Sequence, residues 1–164
     1  MKTLNNLISL NDLSQKHSTW IIKYCSATFG SPLFLVWYTD THENRTDRLL
    51  TYKNGKIFAT KSLSALKTTL LSEINHLVVF DNLTPWLANF KDNEVVEYCT
   101  YDFNSVISNL DKNNLDIPTM EGLAGFINLY GDYVQQDKRN THLRVHIENE
   151  FIKETWNYFY NNIF

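Results

Sequence analysis

"DRLLTYKNGKIFATK", residues 47–61, is the stretch that decides the fold. Two runs of apolar and β-branched residues flank Asn54-Gly55, a dipeptide that tolerates positive φ and favours a type I′ hairpin turn. A hairpin at 47–61 implies antiparallel pairing. The two runs before it, "STWIIKYCSA" (18–27) and "LFLVWYT" (33–39), are strand-like and flank the turn residues Gly30-Ser31-Pro32, so they extend the same meander.

Helical signals dominate the rest. "SLSALKTTLLSE" (62–73) has Ser62 as N-cap and Leu63, Leu66 and Leu70 on one face. "LTPWLANF" (83–90) offers Thr84 as N-cap with Pro85 at the first helical position. "HLVVF" (76–80) reads as a short buried strand and "EVVEYCTYD" (94–102) as another. "DFNSVISNLDK" (102–112) is a helix capped by Asp102, and "ENEFIKETWNYFYNNIF" (148–164) an amphipathic helix with Phe151, Thr155, Trp156, Phe159 and Ile163 in one stripe. Strands followed by helices give a single α+β domain over 1–164, with a mainly antiparallel sheet packed against several helices, the C-terminal one included.

"EGLAGFINLYGDYVQQD" (121–137) holds three of the five glycines. A phosphate cradle places its glycines in a loop between strand and helix. Here they sit inside a helical period: Phe126, Ile127, Leu129, Tyr130, Tyr133 and Val134 share one arc. Glu121, Gly125, Asn128, Asp132 and Gln135 share the opposite one, with Gly122 and Gly131 at the borders. The helix begins near Thr119, after Pro118. Each helical glycine costs about 1 kcal/mol against alanine. Close approach of a neighbouring backbone at the borders would offset that; for Gly125, on the polar face, contact with a partner is the alternative.

The net charge of −3 conceals strong segregation. Residues 1–91 carry ten bases and six acids, whereas residues 92–137 carry nine acids and the single base Lys112. Such a distribution concerns partners rather than fold: it disfavours nucleic acid at the acidic segment and favours a basic protein or a cation. The expected contact residues are Asp92, Glu94, Glu97, Asp102, Asp111, Asp116, Glu121, Asn128 and Asp132, with Tyr98 and Tyr101 as aromatic anchors. Ordinary solvated faces are the competing account of the same acids, and the two tyrosines fit a core equally well.

The N-terminus lacks the unbroken apolar stretch of a signal peptide, and no run approaches a membrane span, so a cytoplasmic protein is expected. Cys25 and Cys99 read as reduced, buried thiols. No nucleophile elbow, phosphate-binding loop or paired-cysteine zinc pattern occurs, and neither a catalytic residue nor a cofactor is expected. His142, His146 and Glu150 recur every four residues, so a small metal-dependent enzyme is one alternative if that stretch is helical. A peptide-binding adaptor is another.

A small, Asn-rich, aromatic-rich α/β chain of this kind resembles the immunity proteins of bacterial toxin–immunity pairs, most closely those of contact-dependent growth inhibition. "GLAGFINLYGDYV" (122–134) is similar to a late helix in several of them. The resemblance implies a non-enzymatic inhibitor whose partner is the C-terminal toxin domain of a delivered effector, commonly a basic nuclease. It carries no functional residue over by position.

Overall fold

The computed structural model describes residues 10–42, 45–90 and 97–140. The elements run α1 (Leu10–His17), β1 (Thr19–Cys25), β2 (Leu33–Asp40), β3 (Thr46–Leu49), β4 (Ala59–Thr60), α2 (Leu66–Glu73), α3 (Leu83–Asn89), β5 (Cys99–Asp102), α4 (Phe103–Asp111) and α5 (Ile117–Gln135). The architecture is α+β with a five-stranded mixed sheet. Its pairings are antiparallel except for β5, which lies parallel to β1. The C-terminal helix expected over 148–164 lies outside the described residues.

Both faces of the sheet are covered, which is why β1 and β2 read as continuous apolar runs rather than alternating ones. On one face Ile21, Val36 and Tyr38 pack with Leu13 of α1, Leu66 and Leu70 of α2, and Leu83, Trp86 and Leu87 of α3. On the other, Ile22, Leu35 and Leu49 pack against Leu129, with Trp37, Cys99, Tyr101 and Tyr133 around them. Cys25 and Cys99 are free thiols, half-buried rather than fully buried.

The turn at Asn54-Gly55 is present, with different geometry from the expected type I′. Gly55 alone of the pair has positive φ, at 88°. The loop Lys53-Asn54-Gly55 closes through Gly55 N–H to Tyr52 O (2.8 Å) and Tyr52 N–H to Lys56 O (2.8 Å). That is a turn ending in a left-handed glycine, the three-residue hairpin form. The arms join each other only near this tip, through the Thr51–Ile57 bridge and the Phe58 N–H to Leu50 O bond. Their outer ends part and both pair with β2, β3 against Trp37–Asp40 and β4 against Phe34 and Leu35.

Three further expectations are corrected. "HLVVF" is not a buried strand: Leu77 is buried and bridges Tyr52, whereas Val78 and Val79 are exposed. α2 begins at Leu66, Ser62 instead holding the preceding turn through Ala65 N–H (3.3 Å). α3 follows Asn82, which puts Pro85 inside the first turn and gives Thr84 no capping role.

Asp102 does cap α4, accepting from Ser105 N–H (3.2 Å) and Ser105 Oγ (2.8 Å). Asp116 caps α5, accepting from Thr119 Oγ1 (2.6 Å) and Thr119 N–H (2.9 Å), and so α5 starts two residues before Thr119. Those bonds, with one from Asn114, hold the Asp116 carboxyl below the usual carboxylate range. A depressed carboxylate stabilises the fold above its unfolded pKa and loses that contribution as pH falls. Asp116→Ala is therefore expected to lower the melting temperature at pH 7, with the deficit shrinking towards about pH 3. Thermal unfolding of both proteins across that range checks it.

The glycines of α5 divide by what faces them. A Cβ at Gly122 would lie 2.7 Å from Val106 Cγ2 of α4, and one at Gly125 would overlap the Tyr101 ring of β5. At Gly131 no described residue lies within 4 Å of that position. Close packing is thus right for Gly122, but the neighbour is a side chain rather than a backbone. None of the described residues provides it at Gly131, and Gly125 serves the interior contact that its place on the polar arc obscured.

Candidate partner-binding surface

The register of β1 against β2 sets Trp20 opposite Trp37 on the face that α5 crosses. Their rings lie 5.1 Å apart, tilted by 44°. Tyr98, anchored just before β5 by its N–H to Ile21 O (2.8 Å), brings its ring to 6.0 Å from Trp20. Tyr98 is 60% exposed, a large fraction for an aromatic ring, and both tryptophans are partly exposed. The three rings form one aromatic patch on the sheet.

α5 lays a carboxylate on that patch. The Trp37 indole N–H donates to Asp132 Oδ2 at 3.0 Å. The helix is fixed there by Tyr133 Oη donating to Gly55 O (3.2 Å) and by Gln136 just beyond its end. The Gln136 carboxamide accepts from Leu49 N–H (2.8 Å) and donates to Leu49 O (3.0 Å), as a neighbouring strand would. It thereby occupies the outer edge of β3, the type of edge that invites another strand.

Asp132 is half-buried, and loss of water pushes its carboxyl above the usual range. The Trp37 bond opposes this, and the Asp47 charge adds to it. Among the described residues, the Trp37 bond is the one hydrogen bond the carboxylate makes, and no ion pair includes it. A partly desolvated carboxylate beside π-faces has the electrostatics of a cation receptor.

Of the residues expected to contact a partner, the structure brings together Tyr98, Tyr101 and Asp132. Burial raises the Tyr101 phenol pKa, and Asp132 and Tyr98 push the same way. The Tyr101 ring, packed against Gly125, is half-buried. Glu121 and Asn128 are exposed on α5. Glu97 pairs with Lys23 at 3.7 Å. Asp102 and Asp116 are helix caps, and Asp111 is exposed at the end of α4. Asp116 and Asp132 stand about 24 Å apart along the helix, so the acids do not form one compact cluster. Asp92 and Glu94 lie outside the described residues.

Trp20 and Trp37 were missed. The alternation Trp20, Ile22, Tyr24 marks a shared face, but pairing with Trp37 depends on a register that a single sequence does not display. His142, His146 and Glu150 lie outside the described residues; among those described, no group of three or more His, Cys, Asp or Glu side chains is placed to hold a metal ion. A separate cavity of about 310 Å³ between the sheet and α5 is walled by Tyr24, Leu33, Leu35, Phe126, Leu129 and Tyr130, among others. The described residues of its lining are almost wholly apolar, with no charged side chain among them to orient a ligand. Among the described residues no helix is long and apolar enough to cross a membrane.

Compared with known proteins, the chain matches no family model, no curated protein and no solved structure.

Proposed function

We propose that this chain is a cytoplasmic immunity protein, a non-enzymatic inhibitor that binds a cognate toxin domain and occludes its active site. The observation that carries the reading is the patch of Trp20, Trp37 and Tyr98 with the Asp132 carboxylate set upon it. Exposed aromatic side chains supply most of the energy at protein interfaces, and a carboxylate among them selects a positively charged partner. The excess of acids between residues 92 and 137 adds a longer-range attraction for a basic partner. The resemblance to contact-dependent growth inhibition immunity proteins adds the class of partner, a basic nuclease domain.

Surface occlusion and addition of a toxin strand to a sheet edge are two routes to such inhibition. At β3 the Gln136 carboxamide already takes the Leu49 backbone groups, which favours surface occlusion over strand addition there.

Co-expression with the reading frame adjacent to this gene tests the reading. That frame is expected to arrest growth by itself, and this chain to restore it. A harmless neighbour, or arrest that this chain leaves unrelieved, contradicts the proposal.

A further inference from the structure

We infer that Trp20, Trp37, Tyr98 and Asp132 form a receptor for one arginine side chain of the partner. The inference rests on the partner-binding reading and specifies what that site takes. Asp132 supplies the anion. Its Oδ2 is held by the Trp37 indole, and its Oδ1 accepts no bond from the described residues. Trp37 sets its ring beside that anion, and the aromatic surface continues from it through Trp20, 5.1 Å from Trp37, to the exposed Tyr98 ring, 6.0 Å from Trp20.

A guanidinium is planar, donates in a fork to a carboxylate, stacks on aromatic rings and sheds water at lower cost than an ammonium. An ammonium satisfies the carboxylate but gains less from the rings. A neutral amide of the same shape satisfies neither. Arginine is thus the side chain suited both to the carboxylate and to the run of aromatic rings that extends from it.

The free receptor holds its carboxylate in a partly dehydrated place, against the preference of the charged form. Replacing it with the isosteric amide keeps an acceptor for the Trp37 N–H and removes the charge. Asp132→Asn is therefore expected to leave thermal unfolding unchanged or to raise the midpoint while weakening binding. Opposed effects on stability and binding separate a receptor from a carboxylate that merely braces the fold.

The probe is acetyl-Gly-Arg-Gly-amide, titrated into the full chain while the indole N–H resonances of Trp20 and Trp37 are followed by NMR. A saturable shift at the Trp37 resonance is expected, with roughly millimolar affinity. The citrulline peptide and the lysine peptide should each bind more weakly. Asp132→Asn should weaken the arginine peptide about tenfold or more, as expected for losing one charge-assisted contact. Tyr98→Ala, a change at an exposed position, should weaken it without altering the fold. No saturable shift, equal binding of the citrulline peptide, or undiminished binding to Asp132→Asn overturns the receptor. Equal binding of the lysine peptide overturns the assignment to arginine. Peptide binding tests the receptor alone and growth protection tests the toxin reading, so protection without peptide binding removes only this inference.

Discussion

Alanine at Gly125 is expected to destabilise the fold, and alanine at Gly131 in the same helix to stabilise it. At 125 the new Cβ would overlap Tyr101 Cε1 and lie 3.0 Å from Cδ1. The ring is wedged between β5 and α5, so relief requires moving a half-buried side chain or the helix. Overpacking of this kind costs about 1–3 kcal/mol, more than the gain of up to about 1 kcal/mol in helix propensity. At 131 none of the described residues lies within 4 Å and φ is not positive, so against them only the propensity gain remains. For a chain of this size 1 kcal/mol corresponds to about 2–4 °C. Gly125→Ala should melt several degrees below the parent and Gly131→Ala about 2–4 °C above it. Adding Tyr101→Ala to Gly125→Ala should recover part of the loss, a coupling that a double-mutant cycle measures. A raised melting point for Gly125→Ala would mean that Tyr101 does not pack there.

The largest loss of stability is expected at Trp86. The side chain has no exposed surface and meets Phe90 edge-on at 4.9 Å, in the core formed by α1, α2, α3 and the sheet. Trp86→Ala should cost about 3–5 kcal/mol, a large part of the 5–15 kcal/mol that holds a typical domain folded. Trp86→Phe should cost far less. The indole N–H is buried and, among the described residues, has no hydrogen-bond partner, so replacing it sacrifices packing volume and no polar contact with them. Denaturant unfolding of the two variants gives the comparison directly.

Local chemistry was legible where one short segment carried it. Asn54-Gly55 marked a turn, Asp102 a helix cap, and Pro118 the start of α5. What remained hidden depended on segments far apart in the chain. The parallel pairing of β1 with β5 joins Ile22 to Cys99, and no local pattern encodes it. The arms of the hairpin carried good strand residues, but β2 took their outer ends. "HLVVF" had strand propensity over a length too short to prevail against its surroundings.

The candidate surface follows the same division. The polar arc of α5 was readable by period, yet it does not face water uniformly. Gly125 meets Tyr101, Asp132 meets Trp37, and Glu121 and Asn128 remain exposed. Which acid serves as a cap, which pairs with a lysine and which is held half-buried depends on neighbours that folding supplies. Asp116, Glu97 and Asp132 look alike in sequence and differ in all three respects.

The central claim is that the chain neutralises a toxin through the aromatic patch and Asp132. It is tested most directly by measuring growth protection with Asp132→Lys and Tyr98→Ala beside the parent chain, each co-expressed with the reading frame adjacent to the gene and shown folded by circular dichroism. The account predicts that Asp132→Lys abolishes protection and that Tyr98→Ala weakens it. Full protection by a folded Asp132→Lys chain would contradict it.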